Sequence, residues 1–181
     1  MKPTLILRSS SLDGFSMESI DSSHLELIRR WRNANRDRFF FQEEITTHGQ
    51  QEWYAGYLQR PEDWIFVIRE NGGFAGCAGY RIMDGAADIH TVLRNEELDR
   101  RSSAIAHGID LLTNYIAERH GVPIRAQVLA DNPAQRWARP RGFVVVGSGV
   151  KGGLAYNNLE QVPALRVPHR VIVATAASAI S

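Results

Sequence analysis

The chain has 181 residues, a length at which one hydrophobic core usually forms without splitting in two. Its 44% hydrophobic and 23% charged content argues against a disordered chain, and a net charge of +1 argues against the broad basic footprint of a nucleic-acid or membrane-surface binder. The lone Cys77 excludes an internal disulfide framework and a cysteine-based zinc site, so no metal and a reducing compartment are expected.

No apolar run approaches the roughly 20 residues needed to span a bilayer, and the N-terminus lacks a charged-then-apolar signal pattern, which makes the cytoplasm the expected location. One domain is expected over residues 1–181, with its core at about 3–174 and a small-residue tail without order. Arginines gather at Arg29, Arg30, Arg32, Arg36 and Arg38, at Arg94, Arg100 and Arg101, and at Arg136, Arg139 and Arg141. The first group is the expected solvated face; the later two suit bidentate phosphate contacts.

In chain order, Thr4–Arg8 alternates as a strand and is followed by turn residues through Gly14. Asp21 to Ser23 offer caps for a helix carrying Leu25, Leu27, Ile28 and Trp31, ending near Asn33 to Asn35. Thr46 or Thr47 caps a second helix with Trp53, Tyr54, Tyr57 and Leu58, closed by Pro61. Trp64–Arg69, the turn Asn71-Gly72-Gly73 and Phe74–Met83 predict a hairpin, and Asp84-Gly85 leads into a third strand, Ala87–Leu93.

Ser102 to Glu118 places Ile105, Ile109, Leu112 and Ile116 at helical spacing, with Gly121 as the stop signal. Ile124–Ala130 predicts a strand, Asp131-Asn132-Pro133 a turn and helix start, and Phe143–Gly147 another strand. Strand, helix and strand in alternation predict parallel pairing in this half. Gly147–Gly153 is expected to be flexible and His169–Ala174 to form a last strand.

This order of two helices, an antiparallel meander, a long helix, a strand, a short helix and a strand resembles that of the GNAT acyltransferases. Trp31-Arg32-Asn33, Ile45-Thr46 and the helix with Trp53 resemble the entry of its ribosomal-protein and amino-sugar branches. Val128-Leu129-Ala130-Asp131-Asn132-Pro133-Ala134 and Gly142-Phe143 resemble its strand, Asn-containing turn and closing Gly-Phe. The resemblance implies an α/β (α+β) fold: a mixed, largely antiparallel sheet with helices on both faces and a parallel pair at a splayed cleft for acetyl-CoA.

It also implies roles. In the family, an R/Q-x-x-G-x-G/A run at a helix N-terminus holds the pyrophosphate by backbone N–H groups. The corresponding run here, Arg100, Arg101, Ser102, Ser103, Ala104 and Ile105, has no glycine, so small serines and two guanidinium groups stand where glycines are usual. The family's splayed strand offers a backbone N–H to the thioester oxygen, which falls on Val92 and Leu93, and Asn132 is placed to meet the pantetheine amides.

Period-two alternation puts Asp88 and His90 on one strand face, where His90 can serve as base and Asp88 can orient it. The family's acid is often a Tyr in the short helix before Gly-Phe; this chain has Trp137, Ala138 and Arg139 there, which leaves Tyr156 or solvent. Arg32, Phe40 and Trp53 are candidates for acceptor recognition by stacking and charge. The implied activity is acetyl transfer to the primary amine of a small molecule, such as a nucleotide-linked amino sugar. A homodimer is compatible with it, and two other readings stay open: a protein N-terminal acetyltransferase, and a family-like scaffold without catalysis.

Overall fold

The computed structural model describes residues 2–175. The tail expected to lack order lies outside them. Nine strands form one sheet: β1 (Leu5–Ser9), β2 (Phe15–Ser19), β3 (Asp63–Glu70), β4 (Gly73–Met83), β5 (Ala86–Arg94), β6 (Ile124–Leu129), β7 (Phe143–Lys151), β8 (Leu154–Gln161) and β9 (Val171–Thr175). Their spatial order is β7-β8-β6-β5-β4-β3-β2-β1-β9, and among the described residues only β5 and β6 run parallel. Among the described residues four α-helices join them: α1 (Leu25–Ala34), α2 (Thr47–Leu58), α3 (Ala104–His120) and the short α4 (Gln135–Ala138).

The sheet separates two apolar layers because successive strand residues face opposite sides. On β3, Phe66 and Ile68 join Leu111, Leu112 and Ile116 of α3, while Ile65 and Val67 join Ile28 and Trp31 of α1 and Tyr57 of α2. All four β3 residues are fully buried, as a strand covered on both faces requires. Thr46 caps α2 by accepting from the Gly49 amide at 3.0 Å, and Gly121 closes α3 in the left-handed conformation at φ 63°, as its position after the last helical turn predicts.

The second half keeps the predicted parallel pairing at β5 and β6 and departs from it beyond them. The segment expected to be flexible is the outer part of β7; it turns at Gly152 and Gly153 into β8, which inserts antiparallel between β7 and β6. A βαβ crossover makes β5 and β6 parallel, but a tight hairpin can only return its chain antiparallel. Strand β2 was also unforeseen. Its Phe15, Met17 and Ser19 face inward, a two-residue alternation hidden among turn residues.

Candidate active site

Strands β5 and β6 pair only from Ala87 to Ile89 against Ile124 to Ala126. Beyond that both continue but diverge, and a cavity of about 420 Å³ opens between them. The divergence begins at a β-bulge. The β4–β5 register shifts between Cys77 and Gly79, and Thr91 on β5 has φ 53°, a conformation that is rare for a β-branched residue.

Val92 and Leu93 line this cleft, together with His90, Thr91, Phe40 and Asn132. The Asn132 side chain donates to the Arg38 carbonyl at 3.1 Å and accepts from the Ala134 amide at 2.9 Å, so it ties the turn after β6 to the segment after α1. Of the predicted phosphate run, Ile105 reaches the cleft wall, whereas Arg100, Arg101, Ser102, Ser103 and Ala104 stand outside the cavity as it is bounded here. Several of that run's polar groups are engaged locally. Arg101 N–H donates to the Asp99 carboxylate at 2.9 Å, Ser102 N–H to the Asp99 carbonyl at 2.8 Å, and the Ser102 hydroxyl to Glu70 at 3.0 Å.

Ser102, not the neighbouring Ser103, accepts from the Ala104 amide at 3.1 Å. The first hydrogen bond of α3 is from His107 N–H to the Ser103 carbonyl, which leaves the Ile105 and Ala106 amides without helical acceptors at the cleft end of a 17-residue helix. That helix terminus carries partial positive charge.

His90 is held from both ring nitrogens. Nε2 lies 3.0 Å from Asp63 Oδ1 and Nδ1 lies 2.8 Å from Thr91 Oγ1. The Asp63 side chain is only 7% exposed, and Arg60 donates to its second oxygen at 3.0 Å. Burial pushes the Asp63 carboxyl pKa upward, but the His90 hydrogen bond and charge, with Arg60 and Lys2, outweigh burial and hold it below its ordinary value. Asp88 shares the strand face as predicted, yet the carboxylate against His90 is Asp63; Asp88 sits across from Arg81 at 3.9 Å.

Gly79 makes this contact possible. It is the β4 residue opposite His90, and a Cβ there would lie 2.9 Å from His90 Cε1 and 2.6 Å from the Trp64 carbonyl. The ring crosses β4 through the space that a side chain would fill.

A second cavity of about 470 Å³ lies on the α1–α2 side, lined by Arg32, Phe41, Glu44, Trp53 and Thr91 among others. Two of the three predicted acceptor residues, Arg32 and Trp53, meet there; Phe40 faces the first cavity instead. The Arg32 guanidinium stacks 3.6 Å from the Phe39 ring centroid and donates to the Phe41 carbonyl at 2.8 Å, while its Nη1 is buried with no hydrogen-bond partner among the described residues. Burial lowers its pKa to about 10. Arg32 thus leaves the solvated set to which the first arginine group was assigned.

Tyr156 stands behind Phe40 of the cleft wall and does not itself line the cleft. Its ring packs edge-on against Phe40 at 5.6 Å, and its hydroxyl lies over Gly149 of β7. Thr91, Asp63 and Gly79 were missed in the sequence. A bulge at a β-branched residue has no local signature, and Asp63 meets His90 only because β3, β4 and β5 pair in this register.

No family model and no curated protein matches the sequence. Solved structures do resemble it. A ribosomal-protein α-N-acetyltransferase, RimL, in complex with coenzyme A superposes with a TM-score of 0.70 at 17% identity, covering 86% of this chain and 96% of that one. FdhC, a nucleotide-linked sugar GNAT, gives 0.70 at 13% identity over 87% and 91% of the two chains. The spermidine/spermine N-acetyltransferase SpeG from Vibrio cholerae gives 0.66 at 15% identity over 81% and 92%. With its parted parallel strands, bulged β5 and following long helix, the chain has the fold of the GNAT acetyltransferases.

Proposed function

We propose that the protein transfers an acetyl group from acetyl-CoA to the primary amine of a small molecule. The observation that carries this reading is the cleft where β5 and β6 part, walled by Val92 and Leu93 and closed at one end by the start of α3. Backbone N–H groups at the bulge suit a developing thioester oxyanion, and the open amides of Ile105 and Ala106 suit a phosphate. His90 receives the proton released as the amine nitrogen bonds to the acyl carbon, and Asp63 fixes its ring. Solvent protonates the departing thiolate, since the Tyr156 hydroxyl lies over Gly149 of β7.

The second cavity then holds the acceptor, separated from the first by Thr91, which belongs to both walls. A half-buried cation stacked on Phe39 beside the Trp53 indole suits an acceptor that carries an anionic group and a planar ring, and a nucleotide-linked amino sugar has both. The competing reading, a binding domain without turnover, draws on the position of Tyr156 and on the locally engaged amides of Arg101 and Ser102.

Thermal denaturation with acetyl-CoA tests the reading. A ligand at a hundred times its dissociation constant adds about 2.7 kcal/mol of stability. The expected result is a clear upward shift that saturates with coenzyme; no shift at millimolar coenzyme overturns the proposal. Binding without amine-dependent thiol release across a panel of amino sugars favours the binding domain.

A further inference from the structure

The inward stripe of α2 runs through positions 50, 53, 54, 57 and 58 at helical spacing. Trp53, Tyr54, Tyr57 and Leu58 pack there with Ile28 and Trp31 of α1, as an apolar stripe should. Gln50 breaks the pattern. It is only 5% exposed, yet among the described residues its carboxamide makes no hydrogen bond. A buried carboxamide left unpaired destabilises the fold, whereas an apolar side chain of the same size would continue the stripe. A residue that violates the local rule without a compensating partner marks a functional position.

Gln50 lines the second cavity, and so does Arg32, whose Nη1 is also without a partner among the described residues. Polar side chains from two facing helices therefore converge on one space with hydrogen-bonding capacity unused. Much of the remaining wall is apolar, with Ile28, Ile45 and the Trp53 indole in it. Gln50 and Trp53 stand three residues apart on α2, so their Cβ atoms lie about 5–6 Å from one another. One planar ring can lie against the indole and turn its edge to the carboxamide. A carboxamide presents a donor and an acceptor side by side, which matches the edge of a nucleobase; an aliphatic amine has no such edge.

We propose that Gln50 is a specificity-determining residue of the second cavity: its carboxamide hydrogen-bonds the edge of a base that lies against Trp53, so that the cavity takes a nucleoside diphosphate with its phosphate toward Arg32. This rests on the reading of that cavity as the acceptor site. Gln50 touches the part of the acceptor remote from the reacting amine and takes no part in proton transfer.

The test measures binding of UDP, TDP, CDP and GDP by titration calorimetry; adenine nucleotides are left out because coenzyme A itself carries an adenosine diphosphate. At least one of the probes is expected to bind saturably. Gln50→Met keeps the volume and removes the hydrogen-bonding groups. It should weaken nucleotide binding about 10- to 100-fold, leave acetyl-CoA affinity unchanged, and preserve or raise the melting temperature. Gln50→Glu supplies acceptors and no donor, and guanine alone of these bases has two adjacent N–H donors on one edge. The ratio of GDP affinity to that of the best other probe should therefore rise at least about tenfold.

A Gln50→Met protein that binds the nucleotides as wild type does, or an unchanged affinity ratio in Gln50→Glu, overturns the proposal. A Gln50→Met protein that melts lower and also loses acetyl-CoA shows a glutamine that serves only the fold, and overturns it equally. Gln50-dependent binding of nucleoside diphosphates without acetyl-CoA binding upholds this assignment and rejects the transfer reading. Acetyl-CoA binding with no binding of any nucleoside diphosphate does the reverse.

Discussion

Replacing Gly79 with alanine tests whether an opening in β4 is what places His90. The added Cβ would lie 2.6 Å from the Trp64 carbonyl, 2.8 Å from Ile65 Cγ1 and 2.9 Å from His90 Cε1. The first of these is strand backbone and cannot yield unless β3 moves; the last is the ring itself. Overpacking of this kind costs about 1–3 kcal/mol, and losing a hydrogen bond to a charged group costs about 1.5–3 kcal/mol. Because His90 is partly exposed, the expected total is about 2–4 kcal/mol.

Urea denaturation measures the loss, and nitrogen NMR of the imidazole reports whether Nε2 still carries a bonded proton. Gly73→Ala in the same strand is the control, since its Cβ would meet only the Glu70 carbonyl at an ordinary 3.6 Å. A Gly79→Ala protein within about 0.5 kcal/mol of wild type, with an unchanged imidazole spectrum, would refute the reasoning.

Three other places, at Lys2, at the Arg141–Asp110 pair and at Arg32, can be probed by substitution. Lys2 lies 3.6 Å from the Tyr57 ring centroid and donates to the Asp63 carbonyl, and burial lowers its pKa from 10.5 to about 8, partly countered by Asp63. Between these values the unfolded chain binds more protons than the folded one, so this group makes stability rise with pH from about 8 to 10.5. Lys2→Met should flatten that rise in denaturant melts, and identical slopes would count against it. Arg141 holds the buried Asp110 carboxylate at 2.8 Å, and Arg141→Ala, which strands that carboxylate, should cost about 3–5 kcal/mol by chemical denaturation. The double replacement Asp110→Leu with Arg141→Leu should recover most of this loss. Arg32→Gln removes a half-buried cation that has no ion-pair partner among the described residues, so stability should hold or rise by about 1 kcal/mol while the acceptor KM climbs and coenzyme affinity stays constant.

Much of the fold was legible because the patterns were local. Thr46 before α2, Gly121 after α3 and the Asp84-Gly85 turn between β4 and β5 each act within a few residues of where they stand. Strand β8 was not legible: Leu154–Gln161 contains two asparagines and little alternation, and it is a strand because β6 and β7 flank it. The site divides in the same way. The two-residue period brought Asp88 and His90 to one face, but the partner of His90 depends on pairing across three strands, so Asp63 lay beyond any local pattern. Ser102 and Ser103 were recognisable as capping types, yet which of them reaches the Ala104 amide is fixed by Asp99 and Glu70.

The short seam between β5 and β6 has a mechanical consequence. Among the described residues, the strand pairing between the two leaves of the sheet runs only from Ala87 to Ile89 against Ile124 to Ala126. A second fastening lies elsewhere, where the Arg141 guanidinium clasps Asp110 on α3 and the Trp137 carbonyl at 3.0 Å, anchoring the chain after α4 to the helix packed on the larger leaf. Like a book held at spine and clasp, the leaves are joined at these two points, and the Asn132–Arg38 hydrogen bond adds a tie across the open edge. Evolution or design can therefore change how wide the crevice opens without altering any side chain that would touch what enters it.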